Sequence, residues 1–309
     1  MRVAVVGAGA LGLYYGALLQ KSGVETHFLL RRDYEAIRCN GLQVYSTTGD
    51  FHLPQVNAWR TPAEIGAVDL VLVGLKAFAG TSYQELIAPL LAAGTEILTL
   101  QNGLGNEEAL AALFGGERIL GGVAYLCSNR GEPGVVHHLG AGRIILGEFV
   151  RSNPARVEQV AAMFRRAGVD CTTTADLQKA RWEKLVWNIP FNGLAALLLQ
   201  TVDRLLAVAA TRTLVRELML EVIAAANAQG LSREIAPGYA DSMIAFTDNM
   251  GEYRPSMQID RAEGRELEIG AIFRNPLGAG LAKGVAMPRV EMLATLLEQV
   301  QAGLAFSRS

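Results

Sequence analysis

The chain has 309 residues, a length that predicts two domains at roughly 100–200 residues each. It is 50% hydrophobic and 19% charged, with a formal net charge of −2. This composition excludes a disordered or collagen-like chain and gives no overall electrostatic support for nucleic-acid binding. The three cysteines match neither a disulfide framework nor a CxxC metal motif, which favours a reducing cytoplasm.

Targeting, membrane and metal signals are weak. Residues 1–20 are apolar, but Arg2 is the only early charge, and the glycine pattern described below explains the segment better than a signal peptide. Apolar runs of about 18 residues are all interrupted by Gly, charged or polar residues, so we expect no membrane span. His137 and His138 are strand neighbours that face opposite sides, so we expect no metal site there.

The first half of the chain alternates short apolar runs with helical patterns. Helices are predicted at 11–21, 83–91 and 155–167. Strands are predicted at 3–6, 26–30, 42–45, 51–53, 70–75, 97–100, 119–126, 135–138 and 143–146, with a hairpin turn at Thr48-Gly49-Asp50. This alternation predicts βαβ crossovers and a mostly parallel sheet.

The second half, from Asp176 onward, is helical, with long helices predicted at 180–199, 202–229 and 289–304. We therefore predict an α/β domain over residues 1–174 and an all-α domain over residues 175–309. The apolar helices permit a homodimer interface, although a buried helical core would have the same pattern.

A glycine-rich motif follows the first predicted strand and opens the first helix. In this G-x-G-x-x-G, Gly7 permits the tight turn, Gly9 lets the backbone approach a pyrophosphate, and Gly12 lets helix and strand pack closely. The helix N-terminus favours the anion. The motif predicts a Rossmann-type dinucleotide-binding domain; the alternative is a structural turn in another α/β fold. The predicted cofactor-binding residues are Gly7, Ala8, Gly9, Ala10, Leu11 and Gly12.

The end of the second strand bears on cofactor choice. An NAD enzyme usually has an acidic residue there, whereas this chain has Arg31 and Arg32, and a cation at this position suits a 2′-phosphate. We therefore expect NADP(H). The alternative is that the two arginines are solvated and that Asp33 is the acid that binds the ribose. Lys76 and Asn102 follow two further strands and are placed near the ligand by topology, or are solvated loop residues.

Two segments of the helical half carry candidate chemistry. Lys184, Asn188 and Asn192 are spaced i, i+4, i+8 in an apolar helix, so they share one face and need a polar partner, either a substrate, solvent or another helix. Pro190 removes one backbone hydrogen bond within that helix. Glu268 is expected near a helix start after Gly264, where a carboxylate is often only a cap.

These motifs together resemble the ketopantoate reductase (2-dehydropantoate 2-reductase) family over nearly the whole chain. The match includes the glycine motif, Arg31, the Lys76 turn and Gln101-Asn102-Gly103. It continues through Trp182-Glu183-Lys184-Leu185 with Asn188 and Asn192, and through Ser256-Met257, Asp260 and Glu268.

The resemblance implies a Rossmann domain followed by an all-α domain, with the active site in the cleft, and a place in pantothenate and coenzyme A synthesis. It implies that NADPH reduces a 2-oxo acid while Lys184 acts as the general acid and Glu268 holds the hydroxyl. It further implies cofactor contacts for Arg31, Lys76 and Asn102, and substrate contacts for Asn102, Asn188, Asn192 and Ser256.

The chain departs from the family pattern beside Glu268. Family members often read Thr-Glu-Ile-Asp followed by Asn-Gly, whereas this chain reads Leu267-Glu268-Ile269-Gly270 and continues differently to Leu277. We therefore keep two alternatives to ketopantoate reduction. One is a same-fold reductase or dehydrogenase for another oxo or hydroxy acid, and the other is a non-catalytic NADP(H)-binding sensor.

Overall fold

The structure, a computed structural model, describes residues 1–78, 82–150 and 153–306. The described residues group into two compact units. The first contains those of Met1–Lys76, Gly80–Gln101 and Asn106–Leu177. The second contains those of Ala77–Ala79, Asn102–Gly105 and Gln178–Ser309, so two short segments from the first half belong to the helical unit. A division into independent domains at residue 174 stays a prediction.

The first unit is built on one ten-stranded sheet. Its strands are β1 (Arg2–Val6), β2 (Glu25–Leu29), β3 (Leu42–Ser46), β4 (Phe51–Leu53), β5 (Asn57–Trp59), β6 (Leu70–Val73), β7 (Glu96–Thr99), β8 (Ile119–Arg130), β9 (Val135–Glu148) and β10 (Cys171–Thr173). Its central strands lie in the order β5-β2-β1-β6-β7-β8, all parallel, which is the strand order of the Rossmann fold. The strands β3 and β4 form the predicted antiparallel hairpin, and β9 pairs with β8, β3 and β10.

Both faces of this sheet are covered by apolar side chains. Along β1, Val3 and Val5 pack into one core cluster, while Ala4 and Val6 pack into another, because successive strand residues point to opposite faces. Such double burial explains why the strands read as continuous apolar runs rather than as alternating ones. The helices of this unit are α1 (Ala10–Lys21), α2 (Tyr34–Asn40), α3 (Pro62–Ile65), α4 (Tyr83–Ile87), α5 (Asn106–Phe114) and α6 (Pro154–Arg166).

The second unit is helical and has a single large core cluster. Trp182, Met219 and Leu297, from three different helices, are fully buried in it. A π-helical turn, Gly270–Arg274, immediately precedes the helix Asn275–Ala282. The helices are α7 (Leu177–Leu198), α8 (Val202–Ala207), α9 (Ala209–Asn227), α10 (Gly238–Asp248), α11 (Ser256–Ala262), α12 (Asn275–Ala282) and α13 (Pro288–Phe306).

Two differences between the structure and the sequence-based expectation concern long segments. The strands predicted at 135–138 and 143–146 are one strand, β9, in which Gly140 and Gly142 have positive φ and sit beside register shifts in the pairing with β8. The helix predicted over 202–229 is two helices, because Val208 between them has an extended backbone. No Gly or Pro in the sequence indicates this break. The helix α7 continues through Pro190.

Within the described ranges, no helix is long and apolar enough to span a membrane. The same residues contain no group of three or more His, Cys, Asp or Glu side chains placed to hold a metal ion.

Candidate active site

The glycine-rich turn lies at the carboxyl end of β1, next to the carboxyl end of β6. This is the point where the strand order reverses, and Rossmann folds bind their ligands there. Gly7 has φ +97°, and a Cβ on it would lie 2.3 Å from the Leu75 backbone nitrogen. A Cβ on Gly12 would lie 2.3 Å from the Gly7 carbonyl oxygen. A Cβ on Gly9 would meet no atom within 4 Å in the part of the chain that the structure describes, unlike a Cβ on either of the other two glycines.

Asp33, the residue considered as an alternative ribose ligand, is used inside the first unit. It stands at the N-cap position of α2 and is 3% exposed. Its carboxylate forms an ion pair with Arg130 and accepts a hydrogen bond of 3.2 Å from the Gly134 backbone N–H. Arg31, two residues earlier, is exposed. The exposed charge just beyond β2 is therefore cationic.

Lys76 and Asn102 follow β6 and β7, at the same edge of the sheet in the chain's topology. Lys76 is half-buried and is the last residue of its segment in the first unit. Asn102 belongs to the second unit, together with Gly103, Leu104 and Gly105.

Lys184 is the centre of the group of polar residues in the second unit. Its Nζ donates a hydrogen bond of 2.6 Å to Oδ1 of Asn102. The pKa of Lys184 is lowered from 10.5 to about 7, chiefly because burial disfavours the ammonium and also because of the charge of Arg181, while the charge of Glu268 opposes this shift. A lysine with this pKa exchanges its proton readily at neutral pH.

Asn188 and Asn192 lie one and two turns along α7 from Lys184 and are 5% and 3% exposed. Oδ1 of Asn192 accepts hydrogen bonds from the Met257 backbone N–H at 3.1 Å and from the Ser256 hydroxyl at 3.4 Å. These bonds connect α7 to the start of α11. The Asn188 amide makes no hydrogen bond to any residue that the structure describes.

Glu268 is 3% exposed and immediately precedes the helical segment that contains the π-turn. Its Oε1 accepts a hydrogen bond of 3.0 Å from the Ala77 backbone N–H, and its charge acts on Lys184. A buried carboxylate without compensation is costly, and both contacts offset that cost.

The structure thus divides the sequence-predicted residues into two groups. The glycine turn, Arg31 and Lys76 belong to the first unit. The second unit brings together Asn102, Lys184, Asn188, Asn192, Ser256 and Glu268. The contacts of Ala77 and the proximity of Arg181 to Lys184 were not anticipated. The proximity of Arg181 could have been predicted, because residues three apart on a helix are neighbours. No sequence pattern indicates a hydrogen bond from a backbone N–H such as that of Ala77.

Two family models match the chain over most of its length. The model described as "Ketopantoate reductase PanE/ApbA" matches residues 3–151, and the one described as "Ketopantoate reductase PanE/ApbA C terminal" matches residues 176–301. The 2-dehydropantoate 2-reductase of Nostoc sp. strain PCC 7120 is 43% identical over 297 residues, which cover 94% of this chain and 92% of that protein.

Solved structures agree with this. The crystal structure of 2-dehydropantoate 2-reductase from Geobacter metallireducens GS-15 is 71% identical, with a TM-score of 0.96, and the match covers 97% of this chain and 99% of that one. The enzyme from Methylococcus capsulatus is 31% identical, with a TM-score of 0.89 and 98% of both chains covered. The Rossmann-type and helical fold class is confirmed, and the chain belongs to the ketopantoate reductase family of oxidoreductases.

Proposed function

We propose that this protein uses NADPH to reduce the carbonyl group of a 2-oxo acid, with 2-dehydropantoate (ketopantoate) as the principal substrate and pantoate as the product. The hydrogen bond from Lys184 to Asn102, made by a lysine whose pKa lies near 7, is the observation that carries the proposal. The names of the relatives support the substrate.

Lys184 provides the proton for this reaction. NADPH, when bound, supplies the hydride to the carbonyl carbon. The Lys184 ammonium polarises the carbonyl oxygen and then donates its proton to it, so that a hydroxyl forms and a neutral amine remains. Solvent returns the proton. Asn102 holds the ammonium in place by accepting a hydrogen bond from one of its three N–H groups.

The neighbouring polar residues bind the substrate in this proposal. Ser256 binds the carboxylate, Asn188 and Asn192 orient the carbon chain, and Glu268 accepts a hydrogen bond from the hydroxyl. The Asn188 amide supports this role, because it makes no hydrogen bond to any described residue and its donor and acceptor groups are therefore available to a ligand.

The first unit binds the cofactor in this proposal. The open space at Gly9 suits a pyrophosphate approaching the backbone, with Gly7, Ala8, Ala10, Leu11 and Gly12 shaping the turn. Lys76 and Asn102 would contact the cofactor from the ends of β6 and β7. The exposed Arg31 and the internally paired Asp33 favour the 2′-phosphate of NADPH over the 2′-hydroxyl of NADH. In this proposal the enzyme is cytoplasmic and forms homodimers.

A different oxo or hydroxy acid is the second candidate, because the chain departs from the family pattern beside Glu268. Leu267 is buried, whereas a Cβ on Gly270 would meet no atom of the described residues within 4 Å. A non-catalytic sensor would have no need of a buried proton donor.

The test follows NADPH absorbance with a panel of 2-oxo acids, for the wild type and for Lys184→Ala. We expect ketopantoate to be the fastest substrate and the variant to bind NADPH without turnover. Faster turnover of another acid would assign the second candidate. NADPH binding without turnover of any acid would indicate the sensor, and full activity of Lys184→Ala would refute the role of the lysine.

A further inference from the structure

One backbone carbonyl in the π-turn accepts no hydrogen bond from its own helix. The Asn275 N–H donates to the Gly270 carbonyl, five residues earlier, instead of to the Ala271 carbonyl as in an α-helix. In the shifted register the next donor would be residue 276, but Pro276 has no N–H. The Ala271 carbonyl therefore has no partner within its own helix, and it accepts a hydrogen bond of 2.9 Å from the Leu104 N–H.

Asn275 completes this contact from the other side. Its side-chain Nδ2 donates a hydrogen bond of 2.7 Å to the Leu104 carbonyl oxygen. Both backbone polar groups of Leu104 are thus held by one helical turn, through two bonds of opposite direction. We call Ala271, Asn275 and the peptide groups of Leu104 the loop clamp.

The flanking glycines fit this close contact. Gly103 and Gly105 have φ values of +86° and +92°. A Cβ on Gly103 would lie 2.3 Å from the Ala271 carbonyl oxygen, and one on Gly105 would lie 2.5 Å from Nδ2 of Asn275. The loop can approach the π-turn this closely only because neither residue has a side chain.

Each side of the loop clamp is close in sequence to a residue of the proposed active site. Asn102, two residues before Leu104, accepts the hydrogen bond from Lys184. Glu268, three residues before Ala271, is at the start of the same helical segment. Loss of the clamp would release the loop and with it the acceptor that holds the Lys184 ammonium.

We propose that Asn275 is a positioning residue: by fixing Leu104 through its side-chain amide, it places Asn102 so that Lys184 can donate its proton. This inference rests on the proposed function. It assigns no contact with substrate or cofactor to Asn275, and it predicts an effect on kcat that passes through Asn102.

The test compares Asn275→Ala and Asn275→Asp, an isosteric change without the amide donor, with a matched control. In the control, Asn249→Ala, the lost bond is also from an asparagine Nδ2 to a backbone carbonyl, that of Ala245 at 2.9 Å, in the same unit. One neutral hydrogen bond contributes about 1 kcal/mol, which converts to about fivefold in rate. We expect both Asn275 variants to lose about fivefold in kcat with little change in KM or NADPH affinity, and the control to lose nothing.

A double-mutant cycle separates positioning from general destabilisation. In the Asn102→Ala background, Asn275→Ala should have no further effect on kcat. Unchanged kcat in both Asn275 variants, or the same fall in both backgrounds, would overturn the inference while leaving the proposed function intact.

A second readout needs no turnover. The pH dependence of acylation of Lys184, measured by mass spectrometry, should move to lower pH in Asn275→Ala, because a displaced Asn102 stabilises the ammonium less and this variant adds no charge. An unchanged profile would overturn the inference even if no oxo acid proves to be a substrate, which would refute the proposed function separately.

Discussion

The Nζ of Lys184 lies 2.6 Å from Oδ1 of Asn102, although the two residues are 82 positions apart in the chain. One comes from the middle of a buried helix and the other from the loop that follows a strand of the sheet. The loop supplies the acceptor and the helix the donor, so the proton-donating group depends on both halves of the sequence.

The pH profile should follow the protonation of Lys184, because burial lowers its pKa to about 7. Reduction needs the ammonium, so its rate should fall as pH rises through about 7. Oxidation of the hydroxy acid needs the neutral amine, so its rate should rise over the same range. Steady-state kinetics in both directions measure this.

Lys184→Ala should lower kcat for reduction roughly 10²–10⁴-fold, the usual contribution of a positioned acid. Lys283→Ala, which removes an exposed lysine of the same unit, is the control and should change nothing. A reduction rate independent of pH on both sides of 7 would contradict the assignment of Lys184 as the acid.

The three glycines of the nucleotide-binding turn should respond differently to alanine. Gly9→Ala should leave the free energy of unfolding unchanged, because the added methyl meets no atom of the described residues within 4 Å. It should weaken NADPH binding by ~1–3 kcal/mol, since the methyl occupies the space proposed for the pyrophosphate. Denaturant titration and fluorescence titration with NADPH measure the two effects.

Gly7→Ala and Gly12→Ala should instead destabilise the fold, because their methyl groups would meet backbone atoms at 2.3 Å. The control is Gly94→Ala, at another open glycine of the same unit, which should change neither stability nor affinity. If Gly9→Ala bound NADPH as tightly as the wild type, the cofactor would have to lie elsewhere.

Arg31→Ala should weaken NADPH binding by ~1.5–3 kcal/mol, the range for a hydrogen bond to a charged group, and should leave NADH binding unchanged. Arg166→Ala removes another exposed arginine of the first unit and should affect neither cofactor. A wild-type preference for NADH, measured as the ratio of the two dissociation constants, would refute the argument from Arg31.

Asp33→Ala should act on stability rather than on cofactor choice. It removes the buried carboxylate that pairs with Arg130, and breaking such a pair costs roughly 3–5 kcal/mol, here toward the lower end because Arg130 is partly exposed. Asp170→Ala breaks an exposed pair with Arg143 and should cost at most about 1 kcal/mol. A stable Asp33→Ala protein that binds NADH more weakly, and so prefers NADPH more strongly than the wild type does, would assign Asp33 to the ribose after all.

Local sequence patterns predicted many of the helices, strands and turns, whereas contacts between residues far apart in the chain were not predicted. The i, i+4, i+8 spacing put Lys184, Asn188 and Asn192 on one face of a helix, because that face depends on neighbours within the helix alone. The turn between β3 and β4 was predicted for the same reason. The pairing of Asp33 with Arg130 joins residues 97 positions apart, and neither residue alone indicates it. The break between the helices at Val208 has no Gly or Pro in the sequence that would indicate it.

The helical unit is completed by chain from the first half: Ala77 after β6 and Asn102–Gly105 after β7. A fragment that begins at residue 178 would keep Lys184, Ser256 and Glu268 but would lack the acceptor for the first of these and the N–H donor for the last. The same holds for chimaeras between family members. A single crossover near residue 175 would exchange the lysine's acceptor along with the nucleotide-binding sheet, so a recombinant that preserves the proton donor's surroundings needs additional junctions around both loops.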